Sequence, residues 1–216
     1  MTDYVTIANL AASMIGEDDQ MRSPDDDTHI GRTVRAVFTA MRRATIRDHS
    51  WNFAMRRKAL AAQAPGDLDD GAVPWPWAYS CPMPAESLRL IEVMNASSKG
   101  DWQYEGGSIL TNVAPPLYVR YLIDVEEPAL WDELFVQAFA ARLAYQIGPR
   151  IAGSSYDKTA GWRLYQSQLS TAKGRDALEN PPVELELTDW ELARLGYSAY
   201  GSGLSGQSGP TGRIVL

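Results

Sequence analysis

The period of the hydrophobic pattern changes twice along this chain, and this change constrains the fold more than any other feature of the sequence. Near both ends apolar residues recur every three or four positions, which is typical of helices with one buried face. Between residues 51 and 125 they recur every second position, which is typical of half-buried strands. This order predicts an α+β protein in which helices from both sides of a β-rich segment pack together.

Two helices are predicted before the β-rich segment. The first covers residues 3–15, and Gly16 suits the left-handed position that follows many helices. The second covers 28–49, with Asp27 or Thr28 as its cap. The two apolar stripes consist of Tyr4, Ile7, Ala8, Leu10, Ala11, Met14 and Ile15, and of Ile30, Val34, Val37, Phe38 and Met41.

Two more helices are predicted after it, at 129–147 and 155–178. The Gly-Pro pair at 148–149 is expected to end the third helix, and Ser154 or Ser155 to cap the fourth. The fold expected is a four-helix bundle, from 1–50 and 126–180, with 51–125 as an antiparallel β-rich insertion. The inward residues of the last two helices are Leu130, Leu134, Phe135, Ala138, Phe139, Leu143, Ile147, Trp162, Tyr165, Leu169 and Ala172.

Three patterns define the β-rich insertion. Residues 117–125 alternate strictly and predict a strand with one buried face, formed by Leu117, Val119, Tyr121, Ile123 and Val125. The Gly106-Gly107 pair predicts a two-residue hairpin, because both turn positions need positive φ. Residues 87–94 predict a further strand, and the aspartate-rich segment 65–76 a loop.

The predicted second helix carries an arginine-rich face opposite its apolar stripe. Three interpretations remain open for this face: a solvated surface, an interface with a neighbouring subunit, or a DNA contact. The Trp75-Pro76-Trp77 cluster is open in the same way, between a folded loop core and an exposed contact. The arginines of the candidate subunit interface are Arg32, Arg35, Arg42, Arg43 and Arg47.

The segment 181–216 differs in kind from the rest and is predicted to be an extended C-terminal arm. Pro181-Pro182 ends the fourth helix, Val183 to Leu187 alternate apolar and acidic residues, and Gly196 to Gly212 is rich in glycine and serine. Strand-like segments on a flexible tether suit addition to an exposed sheet edge. The arm residues expected to dock on a partner are Val183, Leu185, Leu187, Trp190, Ile214, Val215 and Leu216.

Composition argues against several function classes. The net charge of −7 does not favour a free-standing DNA-binding protein, because phosphate binding needs a basic surface. The single cysteine, Cys81, allows no intrachain disulfide and suits a reducing cytoplasm. Neither a secretory signal nor a membrane-spanning run is expected.

Catalysis and cofactor binding have little support in the sequence. The two histidines, His29 and His49, have no nearby cysteine, and Asp25-Asp26-Asp27 lacks the spacing of a calcium loop. Glu126-Glu127 offers one half of a glycosidase carboxylate pair, but adjacent side chains point apart. No enzyme activity, metal or cofactor is therefore expected. A virion-associated peptidoglycan hydrolase and a DNA-binding protein remain as alternatives.

An ordered series of short segments resembles the head-to-tail adaptors of tailed bacteriophages, in particular the tail tubular protein A family. The resemblance covers residues 4–178, and its strength lies in the order of the segments. These are Ile7 to Ala11 with Ile15-Gly16-Glu17, Asp25 to Asp27, Ser50 to Ala54 with Arg56-Arg57 and Leu60-Ala61, Tyr79 to Pro84, Leu88 to Val93, Tyr104 to Gly107 with Ile109 to Thr111, Tyr118 to Tyr121, and Leu134 to Tyr145.

The resemblance implies a structural virion protein, assembled in the host bacterial cytoplasm. Identical subunits would form a ring of about twelve between the portal protein of the head and the tail or nozzle protein below. DNA would pass through the lumen of the ring without sequence-specific binding, and no membrane would be involved.

Overall fold

The computed structural model describes residues 2–68, 71–96 and 100–180, and these form four α-helices and two small antiparallel sheets. The predicted arm at 181–216, with all seven of its proposed docking residues, lies outside the described residues. The chain divides into two units, Met1–Gly174 and Arg175–Leu216. The helices are α1 (Tyr4–Ile15), α2 (His29–Arg47), α3 (Glu133–Ile151) and α4 (Lys158–Leu178).

Capping side chains fix where the helices begin, and they differ in part from the prediction. Thr28 caps α2 by accepting the Gly31 amide, as one of the two expected residues. Asp132 caps α3 through the amides of Leu134 and Phe135, so the α-helix begins later than predicted. Before it, Pro128–Leu130 form a 3₁₀ turn.

Three predictions for the last two helices are wrong. Asp157, and not Ser154 or Ser155, accepts the amides of Thr159 and Ala160 where α4 begins. Pro149 does not end α3, which continues to Ile151, because a proline in the last turn forfeits few backbone bonds. Leu130 and Trp162 are 62% and 47% exposed and do not face inward.

The helices share one apolar core. α3 packs against α1 and α2, and Tyr165, Leu169 and Ala172 of α4 join the same cluster. Trp51 and Trp131 lie fully or almost fully buried beside the rings of Phe135 and Phe139. The predicted burial of the aromatic stripe residues Phe38, Phe135 and Phe139 is confirmed.

Six strands separate α2 from α3 and form two three-stranded antiparallel sheets. The first has the order β1-β6-β3 and the second β2-β5-β4. Gly106 and Gly107, with φ of 54° and 83°, join β4 to β5 as predicted. The strands are β1 (Met55–Leu60), β2 (Tyr79–Pro82), β3 (Ser87–Val93), β4 (Trp102–Glu105), β5 (Ser108–Thr111) and β6 (Leu117–Ile123).

Strand β6 takes part in two cores. Leu117, Val119 and Tyr121 are buried in a second cluster between the sheets, as the alternation predicts. Leu122 was expected on the exposed face, yet it is fully buried in the helical core. The prediction of one buried face is therefore wrong at the end of β6 that meets the helices.

Candidate interaction surface

The first two arginines of α2 hold the acidic loop that precedes the helix. Arg32 Nη1 lies 2.9 Å from Asp27 Oδ1, and this guanidinium lowers the pKa of Asp27. Arg35 Nη2 donates to the backbone carbonyls of Pro24 and Asp26 at 3.1 and 2.9 Å. The predicted interface side chains thus already have partners within the chain.

Arg42 does not lie on an exposed face. It is 6% exposed, and its Nε and Nη2 donate to the two carboxylate oxygens of Asp124, both at 2.8 Å. Its Nη2 also lies 3.2 Å from Glu126 Oε1. Arg42 stands four residues after Phe38 and four before Ile46, both buried, so helical spacing places it on the buried side.

The last two candidate arginines of α2 differ from each other. Arg47 donates to the Leu88 carbonyl, and Arg89 of β3 donates back to the Arg47 carbonyl at 2.6 Å. The Arg43 side chain is 57% exposed, with its Nε 3.8 Å from Asp124 Oδ2. Of the five arginines Arg42 alone is buried, whereas Arg32, Arg35, Arg43 and Arg47 are exposed, and the subunit interface at these residues remains a prediction.

A second polar network joins α2, α3 and α4. Arg142 donates to the carboxylate of Asp48, the residue that follows α2, and lies with its Cζ 5.4 Å from the Tyr165 ring centroid. The Tyr165 hydroxyl donates to Asp48 Oδ2 at 3.0 Å. Burial raises the pKa of Tyr165 to about 12, against the lowering effect of Arg142. This network links the end of α2 to α3 and α4.

Strand β1 forms an open, basic edge of the first sheet. Its outer side has no strand partner within the described residues. Arg56, Arg57, Lys58 and Ala59 are all exposed. Hydrophobic periodicity does not predict this strand, because charged residues on both of its faces remove the alternation of apolar and polar residues that is typical of strands.

An open groove of about 450 Å³ lies along this edge. Ala59 pairs with Tyr118, and Arg57 with Arg120, so these side chains share one face of the sheet. Tyr118 and Met94 leave about half of their surface exposed. The groove is thus apolar at its floor and basic along its rim.

The loop between β1 and β2 presents one large aromatic side chain. Trp75 is 92% exposed, whereas Trp77 is half-buried. Of the two interpretations of this cluster, the exposed contact therefore fits Trp75. An exposed indole of this kind is enriched at protein–protein interfaces.

The structure does not bring the candidate catalytic groups together. Glu126 pairs with Arg42, and the His49 ring packs edge-on against Trp51 at 4.8 Å. Within 2–68, 71–96 and 100–180, no group of His, Cys, Asp or Glu side chains is arranged to hold a metal ion. In the same part of the chain, no helix combines the length and apolar character needed to span a membrane.

No known family matches this chain, and no curated protein matches it either.

Proposed function

We propose that this protein is a structural component of a tailed bacteriophage, a ring-forming adaptor that joins the portal protein of the head to the tail. The observation that carries the proposal is the order of the elements. Two helices, a segment of two antiparallel sheets and two further helices follow one another, and the segments that resemble the adaptor family lie on these elements in the same order. In this proposal α1–α4 form a four-helix bundle and 181–216 an extended arm.

The disposition of charged groups supports an assembly role over catalysis. Glycoside hydrolysis needs a spaced pair of carboxyl groups beside the substrate, whereas Asp124 and Glu126 here form ion pairs with Arg42. The outward features are instead the basic edge of β1 and Trp75. Charged rims and exposed aromatic side chains are the ordinary means of protein recognition.

Binding to a portal protein tests the proposal. The purified full-length chain is mixed with the portal protein encoded by the same phage, and the mass of the complex is measured by sedimentation velocity. The adaptor should add about twelve copies per portal ring, with closed symmetry matching the portal. No binding would contradict the proposal, as would clearing of purified peptidoglycan that a single Asp or Glu substitution abolishes.

A truncation tests the arm within the same assay. Deleting residues 197–216 removes Ile214, Val215 and Leu216 and should weaken binding to the portal. The melting temperature should stay nearly unchanged, because the deletion leaves 1–174 intact. A truncated chain that binds portal and supports infectious particles as well as the full chain would show that these residues have no docking role.

A further inference from the structure

We propose that Val183 to Leu187 of one copy adds as a strand to the open edge of β1 in a second copy. The inference rests on the proposed ring, and it names the surface that receives the segment. Strand addition uses the backbone groups that an edge strand leaves free, and side chains on the two faces then select the partner.

The charges of the two segments are complementary. β1 carries Arg56, Arg57 and Lys58 in a chain whose net charge is −7. The segment 183–187 carries Glu184 and Glu186, separated by one residue as Arg56 and Lys58 are. In paired strands, cross-strand neighbours share a face, so both glutamates can lie beside Arg56 and Lys58 at once.

The same register places the apolar side chains of 183–187 on the other face of the sheet. With both glutamates beside Arg56 and Lys58, the side chains of Val183, Leu185 and Leu187 would lie on the face of Ala59 and Arg57, because strand residues alternate. That face holds the groove with Tyr118 and Met94 on its floor, both half exposed. A shift of one residue would turn the glutamates toward this face, which carries one basic residue of β1 instead of two, and the leucines toward Arg56 and Lys58.

A second copy is the occupant that closes a ring. When a segment of each subunit binds a different surface of the next subunit, the interface is heterologous, and repeated copies form a ring if the rotation between neighbours closes and a filament if it does not. The surface at β1 and the segment at 183–187 are such a pair of unlike patches. A bond within one chain, or to the portal alone, would leave neighbouring subunits unlinked by this contact.

Cysteine cross-linking of the full-length protein tests the register. Lys58→Cys is combined with Glu184→Cys or with Glu186→Cys, and the proteins are oxidised without portal. Covalent dimers and larger species should form on a non-reducing gel in at least one of these variants. Lys58→Cys with Leu185→Cys is the matched control, because residue 185 lies on the other face and should cross-link at least fivefold less.

Single variants that carry tags of different size then distinguish a link between two copies from a link within one chain. One chain carries Lys58→Cys, and the other carries Glu184→Cys or Glu186→Cys, whichever linked better in the double variants. Mixing the two chains should give a covalent dimer that contains both tags. The wild-type chain should give none, because Cys81 is fully buried. Equal linking by all three pairs, no linking, or links only within monomers would overturn the proposal.

Charge reversal supplies a second measurement that needs no cysteine. Arg56→Glu with Lys58→Glu should reduce self-association at least tenfold, and Glu184→Lys with Glu186→Lys on the same chain should restore it. Arg150→Glu, an exposed change on α3, is the control. Because the protein is assayed alone, unchanged self-association in the first variant, or no restoration in the second, would contradict the strand pairing only. The adaptor function is tested separately, by binding to the portal protein.

Discussion

At the scale of single residues, two glycines make room for one tyrosine. A Cβ atom at Gly148 would lie 2.5 Å from two ring carbons of Tyr156, and one at Gly161 would overlap the Tyr156 hydroxyl. The ring therefore lies between α3 and α4 in a space that only glycine leaves open. This packing explains why helix-weakening glycines stand inside both helices.

Gly161→Ala should destabilise the protein by about 1–3 kcal/mol, because the added methyl group has no free volume. Gly174→Ala in the same helix is the matched control, since a Cβ there meets nothing within 4 Å. That change should stabilise by about 0.5–1 kcal/mol through helix propensity. Urea unfolding measures both, and Tyr156→Phe should partly rescue Gly161→Ala. Equal effects of the two alanines would contradict the close packing.

Tyr165 predicts a loss of stability at alkaline pH. Its pKa is raised to about 12 in the folded protein from an ordinary value of 10.0. Below pH 10 both states keep the proton; between pH 10 and 12 only the folded state keeps it. Alkali therefore favours unfolding in this window, by at most about 1.4 kcal/mol per pH unit from this group.

Tyr165→Phe should make that decline shallower, and it should also lower stability at pH 8 by about 1 kcal/mol through loss of the bond to Asp48. Denaturant unfolding between pH 8 and 11 measures both effects. Other tyrosines with raised pKa values, such as Tyr121, keep the slope from vanishing. An unchanged slope in the variant would show that Tyr165 titrates alike in both states.

At the scale of elements, the Arg42–Asp124 pair joins α2 to the segment that follows β6. Arg42→Met should cost about 3 kcal/mol, because it leaves a largely buried carboxylate without its bidentate partner. Arg32→Met on the same helix removes an ion pair whose two side chains are exposed and should cost less than about 1 kcal/mol. Thermal or urea unfolding distinguishes them, and similar losses would contradict the structural role of the buried pair.

The sequence predicted the elements best where a buried apolar face or a turn that requires glycine determines the local structure. The alternation at 117–125 and the glycine pair at 106–107 yielded β6 and the β4–β5 hairpin. Strand β1 was not predicted, because it is held by backbone hydrogen bonds to β6 while most of its side chains are exposed and show no apolar alternation. Its candidate edge site was therefore visible only from the topology of the sheet.

The exact ends of the helices and the burial of charged residues were less predictable. Asp157, rather than a serine, caps α4, and α3 passes through Pro149, because more than one local choice is acceptable at each boundary: serine and aspartate both cap helices, and a proline in the last turn forfeits few backbone bonds. Helical geometry predicted Arg42 on the face opposite the apolar stripe, but the residue lies four positions from both Phe38 and Ile46 and is buried with them. Its carboxylate partners, Asp124 and Glu126, lie 82 and 84 residues away and are not apparent from the sequence of the helix.

At the scale of the whole molecule, the two apolar clusters should unfold together. Leu122 lies in the helical core and Val119 in the cluster between the sheets, on the same strand. Leu122→Ala and Val119→Ala should each lower the midpoint of one common transition, followed by near-ultraviolet and far-ultraviolet circular dichroism. Two separate transitions, each sensitive to one substitution, would show that the clusters are independent.

The double membership of β6 also has a mechanical meaning. A strand pulled along its axis loads its inter-strand hydrogen bonds together, in shear, and a central strand has such bonds on both sides whereas an edge strand has them on one. Strand β6 is hydrogen-bonded to β1 and β3 on its two sides, and its Leu122 side chain packs among the helices, so this strand connects the first sheet to the helical core. Tension applied to the sheets would reach the helices through this strand in shear.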